Sequence, residues 1–208
     1  MNLTQRLAAQ LVELGIVLTD SAQDRLIKYL GLIEKWNKVH NLTAIRDPEQ
    51  MLTHHLLDSL AVLPHLGAAK RLADIGSGAG LPGIPLAIAL PHLAVTLVDS
   101  SHKRQVFQQQ CKAELGLSNV TAIHARVGDF KTEQGFDIVI SRAFSDLAEF
   151  VAVSRHLCAP GGELFAMKGL HPFKEIAKLP NDVRVREVMQ LQVPGLGATR
   201  HLLAIKVN

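Results

Sequence analysis

The spacing of apolar residues changes character near residue 67. Before it the period is helical. Leu3, Leu7, Leu11 and Leu14 form one stripe, which Gly15 ends. Thr19-Asp20-Ser21 offers caps for a second helix, on which Leu26, Ile27, Leu30, Ile33 and Trp36 share a face. Asp47-Pro48-Glu49 starts a third, with a capping acid and a proline in its first turn. That helix carries Met51, Leu52, His55, Leu56, Ser59 and Leu60 before Pro64. After Gly67, β-rich runs at 71–76, 94–99, 119–124, 136–141 and 161–168 alternate with helical patterns at 82–90, 101–115 and 145–158. Such alternation predicts a parallel sheet wound by right-handed crossovers. The runs 183–193 and 200–207 are joined only by Pro194-Gly195-Leu196-Gly197, which predicts an antiparallel hairpin at the sheet edge. The expected fold is α/β: a Rossmann-like, mostly parallel sheet over 68–208 with a C-terminal antiparallel hairpin, behind a helical subdomain over 1–67.

Composition narrows the class. A chain of 208 residues supports one good core and a modest extension. With 48% hydrophobic and 20% charged residues it is globular rather than disordered. An aromatic content of 4% argues against an architecture built on base stacking. The net charge of +3 is compatible with an RNA partner without being evidence for one, and its excess lies after residue 70. The histidines are scattered without metal-ligand spacing, so no metal is expected. Cys111 and Cys158 form no C-x-x-C and read as reduced core thiols. With no signal pattern and no apolar run of bilayer length, a soluble cytoplasmic protein is expected, monomeric by default.

The most informative stretch is Asp74-Ile75-Gly76-Ser77-Gly78-Ala79-Gly80-Leu81-Pro82-Gly83, set between two apolar segments. It reads as strand, glycine-rich turn and helix, the first unit of a nucleotide-binding sheet. The spacing is G-x-G-x-G, not the G-x-G-x-x-G of dinucleotide sites. Gly76, Gly78 and Gly80 let the backbone lie flat against a ligand. Asp74 suits a cationic amino acid moiety better than a pyrophosphate, and no Gly-Lys-Ser/Thr follows to hold phosphates. S-adenosylmethionine fits; ATP and NAD fit less well. The terminal hairpin agrees, since it is characteristic of Class I methyltransferases and usually missing from dehydrogenases.

The other strand ends extend the argument. Asp99 closes the second strand roughly twenty residues after the loop, where a carboxylate binds ribose hydroxyls; it is also placed to cap the next helix. Val127 and Gly128 follow the third strand, beside the adenine in this fold or in a plain turn. The fourth strand delivers Ser141-Arg142-Ala143-Phe144. Many amino-group methyltransferases carry Asn/Asp-Pro-Pro-Tyr/Phe there, to take a proton from an exocyclic amine. Arg142 stands in its place, which favours a target needing no deprotonation, such as a ring nitrogen with a free lone pair. Its planar donor fork suits the methionine carboxylate, a phosphate or a purine oxygen; the alternative is an ion pair with Asp146, four residues on. No activated nucleophile is evident: Cys111 lies mid-helix and Cys158 in a Pro-Gly-Gly turn.

These residues resemble the bacterial small-subunit ribosomal RNA guanine-N7 methyltransferase family, RsmG or GidB, essentially end to end. The resemblance rests on Lys35-Trp36-Asn37-Lys38, Asn41-Leu42-Thr43, His54-His55-Leu56-Leu57-Asp58-Ser59 and the glycine loop. It continues through Leu97-Val98-Asp99-Ser100, Lys103-Arg104, Ile140-Ser141-Arg142-Ala143-Phe144, Lys168-Gly169 and Arg200-His201-Leu202. It implies methyl transfer to N7 of one guanine in the 530 loop of 16S rRNA, on the small ribosomal subunit. It carries over Gly76 and Leu81 as cofactor contacts, Val127-Gly128 at the adenine and Arg142 at the cofactor pocket. One departure stands out. Some relatives have Glu where this chain has Gly128, so a side-chain contact there is lost, while a backbone contact, or Asp129, remains.

Guanine N7 is an unprotonated acceptor, so direct attack on the methyl group needs no general base. Proximity and alignment would then supply most of the catalysis. Arg142 is the expected orienting residue, with Lys168 and Arg200 as further donors to guanine O6; Lys168 is equally readable as a solvated strand end. Asn41 and Asp58 read as helical-lid residues near the mouth or as caps and packing within the helices; with His201 of the last motif they complete the candidate substrate-binding residues. A Class I methyltransferase acting on a small molecule is the competing expectation.

Overall fold

We describe a computed structural model of the chain, covering residues 1–144 and 146–207. Position 145, where the third helical pattern of the second half begins, lies outside the described residues.

Helix α1 (Leu3–Glu13) starts from a capping box in which Asn2 and Gln5 satisfy each other's backbone N–H groups. Helix α2 (Asp20–His40) starts where Thr19 Oγ1 accepts from Ala22 N–H, and it ends at Asn41, which takes a left-handed φ of 48°. The expected third helix has three parts. Asp47 caps α3 (Pro48–Met51), a π-helical stretch (Leu52–Leu57) follows, and α4 (Asp58–Leu60) completes it. Strand β1 (Arg71–Ile75) then leads through the glycine loop to α5 (Gly83–Ala89), β2 (Ala94–Asp99), α6 (His102–Leu115), β3 (Val120–His124) and β4 (Phe136–Ser141). After α7 (Leu147–Ser154) come β5 (Cys158–Lys168), a short α8 (Phe173–Ile176) that the sequence did not signal, β6 (Val183–Leu191) and β7 (Arg200–Val207).

The seven strands form one sheet in the order β3-β2-β1-β4-β5-β7-β6. The first five pair in parallel, and β7 is antiparallel to both β5 and β6. The hairpin is therefore present, but only β6 lies at the edge. Burial explains the order: Leu202, Leu203, Ala204 and Ile205 of β7 are fully buried on both faces, whereas between its buried ends, Val183 and Leu191, β6 is exposed or half-buried.

One apolar cluster runs from Leu7 through Leu26, Ile33, Leu52 and Leu56 to Ile84, Phe107, Phe165 and Ala204. Helices α1 to α6 thus pack on one face of the sheet, and residues 1–67 share its core. Leu147, Phe150 and Val151 of α7 cover the opposite face. The strand order reverses beside β1, with β2 on one side and β4 on the other. In open α/β sheets a ligand crevice lies outside the carboxyl ends at such a point.

Candidate functional site

Three adjoining cavities follow those strand ends. The largest, about 710 Å³, is lined by Asp99, Val127, Gly128, Phe144 and others. A second, about 220 Å³, lies over Gly76–Ala79 and Leu81 and shares Gly76, Arg104 and Ala143 with the first. A third, about 270 Å³, is lined by Ile45, His54, His55, Arg142, Met167, Lys168, Gly169 and Arg200, and shares His55 and Arg142 with the second. The first falls within the about 300–1,000 Å³ typical of small-molecule sites.

The glycine loop is held in shape from three sides. Gly78 N–H donates to Asp99 Oδ2 at 2.8 Å. Gln108 Nε2 donates to Ser77 Oγ and to Gly78 O, both at 2.9 Å. The buried Tyr29 hydroxyl, from α2, donates to Ala79 O at 2.6 Å. At Gly76 φ is +65°, and an added Cβ would stand 2.9 Å from Ala143 Cβ. At Gly80 φ is +89° and a Cβ would collide with the Ile84 side chain, so its glycine serves packing, and it lines none of the three cavities.

Asp99 does two jobs at once. Its Oδ1 accepts from Ser101 N–H at 2.9 Å, turning the chain into α6, while Oδ2 holds the loop and faces Arg104 at 3.5 Å. Asp99 still lines the largest cavity, as do Val127 and Gly128. Gly128 has open space where a Cβ would be, so nothing in its packing demands glycine.

Asp74 is placed differently from the expectation of an open partner for a cation. It is fully buried and lines none of the three cavities. Its Oδ2 accepts from Gly83 N–H at 2.8 Å, tying β1 to the start of α5, and among the described residues Oδ1 has no partner. Burial pushes its pKa up to about 7, against the lowering effects of the Gly83 hydrogen bond and the Arg142 charge.

The third cavity has a cationic wall with a buried anion behind it. Asp58, 0% exposed, accepts from Arg142 Nη1 at 2.9 Å and from Arg200 Nε at 2.7 Å. Arg142 Nη1 also donates to His54 O at 2.9 Å, a carbonyl of the π-helical stretch. Such stretches recur at functional sites. This corrects two expectations. Arg142 pairs with Asp58 rather than Asp146, whose Oδ1 caps α7 through Glu149 N–H. Asp58 is no mouth residue, since it lies beneath the cavity and aims both guanidinium groups. Lys168 is no solvated strand end either: its Nζ donates to Phe144 O and Glu175 Oε2.

Two other expected substrate residues stand aside from the cavities. Asn41 is exposed at the end of α2 and accepts from Arg46. The His201 ring bonds Gly169 O through Nδ1 at 3.0 Å, bracing the cavity rim without lining it.

Several residues were missed by the sequence reasoning. His55 lines both smaller cavities; its Nε2 is hydrogen-bonded to Thr43 Oγ1 at 3.1 Å, and burial, with Arg142 adding, lowers its pKa to about 4. His55 and Thr43 lie within the quoted motifs and were legible as site residues. Tyr29 and Gln108 carry no such signal, because each looks like an ordinary helical position. Both cysteines are free, and burial raises Cys158 to about 11 and Cys111 further, so neither supplies a thiolate. Among the described residues no group of His, Cys, Asp and Glu is arranged to hold a metal ion, and no helix is long and apolar enough to cross a membrane.

Among solved structures, the glycopeptide N-methyltransferase MtfA is similar with a TM-score of 0.64 at 13% identity, covering 78% of this chain and 100% of that one. A S-adenosylmethionine-dependent methyltransferase from Thiobacillus denitrificans, in complex with S-adenosyl-L-homocysteine, gives 0.53 at 15% identity over 86% of this chain and 97% of the other. The fold is thus the Rossmann-like fold of Class I methyltransferases. In sequence the chain is 53% identical to the ribosomal RNA small subunit methyltransferase G of Nitrosospira multiformis, over 99% of this chain and 98% of that one. The GidB family model, described as rRNA small subunit methyltransferase G, matches residues 22–203, a span that takes in the glycine loop, Asp58 and both of the arginines it aims. By that match and that identity, the chain belongs to the rRNA small subunit methyltransferase G family.

Proposed function

We propose that this protein transfers a methyl group from S-adenosylmethionine to N7 of a guanine in the 530 loop of 16S rRNA. The observation that carries the reading is the continuity of the three cavities through Gly76, Ala143, His55 and Arg142. A nucleoside fits the largest cavity, with Asp99 at the ribose and Val127-Gly128 beside the adenine. Gly76, Ser77, Gly78 and Leu81 would border the methionine part. A purine fits the third cavity, where Arg142, Arg200 and Lys168 are cationic donors for the O6 edge.

S-adenosylmethionine supplies an electrophilic methyl group on a sulfonium. The protein's own part is alignment. Arg142 borders both the methionine-side and the base-side cavities, and Asp58 with His54 O fixes its donor fork. No residue need remove a proton, because guanine N7 already has a free lone pair. His55, with a pKa near 4, is too weak a base for such a task and stays neutral at pH 7. Asp74 acts from below, by holding the loop to α5.

The test is transfer from isotopically labelled S-adenosylmethionine to small subunits lacking the modification, followed by nucleoside mass spectrometry. Labelled 7-methylguanosine is expected. Cofactor binding without transfer to subunits or naked rRNA would favour a small-molecule acceptor instead. Arg142→Ala should lower kcat about 100-fold, the scale of a misaligned reactant pair. It should also lower the thermal unfolding temperature, because buried Asp58 then keeps only Arg200 as a cationic partner; kcat is compared at a temperature where circular dichroism shows the variant folded. Normal turnover by that variant would remove Arg142 from its assigned role.

A further inference from the structure

The segment 169–173 leaves the third cavity and presents two large apolar side chains to solvent. Leu170 is 81% exposed and Phe173 72% exposed. The His171 ring stacks on Phe173 at 3.7 Å and 26°, and meets His201 edge-on at 5.4 Å. The base of this ledge is rigidly tied. Gly169 O accepts from Thr199 Oγ1 and bonds the His201 ring, while Glu175 Oε2 accepts from both Lys168 Nζ and Leu147 N–H. The chain therefore holds an aromatic face outward rather than folding it into the core. Among the described residues His171 Nδ1 is buried without a hydrogen-bond partner.

We propose that Leu170, His171 and Phe173 form a stacking ledge for an unpaired nucleobase of the substrate RNA, next to the base held in the third cavity. The inference rests on RNA being the substrate. Two observations select this occupant. The ledge is continuous with the cavity, since Gly169 lines it and Leu170 is the next residue. Exposed cations also adjoin the lining in sequence: Lys174 and Lys178 follow the ledge, and Arg46 follows Ile45, which lines the cavity. An RNA strand that turns one base inward leaves its neighbour unstacked. Proteins commonly receive such bases on aromatic side chains, with cations on the phosphates.

The experiment is steady-state methylation by Phe173→Ala, Phe173→Tyr and Phe173→Leu, on small subunits and on an rRNA stem-loop, alongside equilibrium binding of S-adenosylmethionine. Phe173→Ala should raise KM for RNA at least about fivefold, the lower end for one base–aromatic stack, leaving kcat and cofactor affinity unchanged. Phe173→Tyr should behave as wild type and Phe173→Leu as alanine. An unchanged KM in Phe173→Ala, or a leucine variant as good as tyrosine, overturns the ledge. An effect on subunits that is missing with the stem-loop overturns it too, because a ribosomal protein would then cover the patch. A Phe173→Trp variant reads the contact without catalysis: stem-loop binding should quench its fluorescence beyond that of Trp36 alone. Such quenching in a protein that transfers no methyl group to RNA would overturn the methyl-transfer reading and leave the ledge standing.

Discussion

Two buried titratable groups beside Arg142 pull the pH dependence of stability in opposite directions. Asp74 has a folded pKa near 7, above its unfolded value. The native state then keeps a proton that the unfolded chain releases between pH 4 and 7, so stability falls as pH rises through that window. His55 has a folded pKa near 4, below its unfolded value. Its stabilising neutral form is present above about pH 6.5, and stability is lost as pH falls towards 4. The two slopes offset each other. Asp74→Asn keeps an acceptor for Gly83 N–H and removes one slope. Its stability relative to wild type should rise by roughly 4 kcal/mol at most between pH 4 and 8, leaving the acid lability of His55 exposed. Urea unfolding of both proteins at the two pH values checks this; a pH-independent difference would contradict it.

At the scale of elements, the helical N-terminal region contributes residues that line or brace the cavities as well as cover. Helix α2 sends Tyr29 to the glycine loop, and the π-helical stretch with α4 supplies His54 O, His55 and Asp58. Helix α6 reaches the same loop through Gln108. The loop's shape therefore depends on two helices distant from it in sequence. Tyr29→Phe leaves the apolar packing and deletes the bond to Ala79 O. It should cost about 1–3 kcal/mol, the range for a buried acceptor left unsatisfied, and raise the dissociation constant of S-adenosylmethionine. Thermal unfolding and cofactor titration measure the two effects; a loss of stability with unchanged affinity would separate the loop's stability from its function.

For the whole molecule, the shared core decides how far the chain can be divided. Leu7, Leu26, Ile33 and Leu52 pack in the same cluster as Ile84, Phe107 and Ala204. A fragment of residues 68–208 would uncover one face of the sheet along with Ile84 and Phe107. It should fail to give a cooperative unfolding transition, or should aggregate, since contiguous apolar patches of that kind promote association. Calorimetry on the fragment tests this, and a sharp transition would show that residues 1–67 are a separable cover.

The sequence alone determined the order and type of nearly every element, the glycine loop between β1 and α5, the family, and nine residues that line the cavities, among them Gly76, Asp99, Arg142 and Arg200. Those features are local: helical and strand periods, caps at Thr19 and Asp47, and a G-x-G-x-G spacing whose glycines all take positive φ in one tight turn. Tertiary structure decided which groups meet across the chain. Nothing local distinguishes an Asp58 that lies beneath two arginines from one at a mouth, because its partners are 84 and 142 residues away. The same holds for Asp74, whose carboxylate turned inward to Gly83, and for Tyr29 and Gln108, which read as ordinary helix positions. The place of β7 inside the sheet, with β6 outside it, followed from burial on both faces. Side-chain direction and burial are set by long-range packing, and the chemistry of the charged groups follows from them.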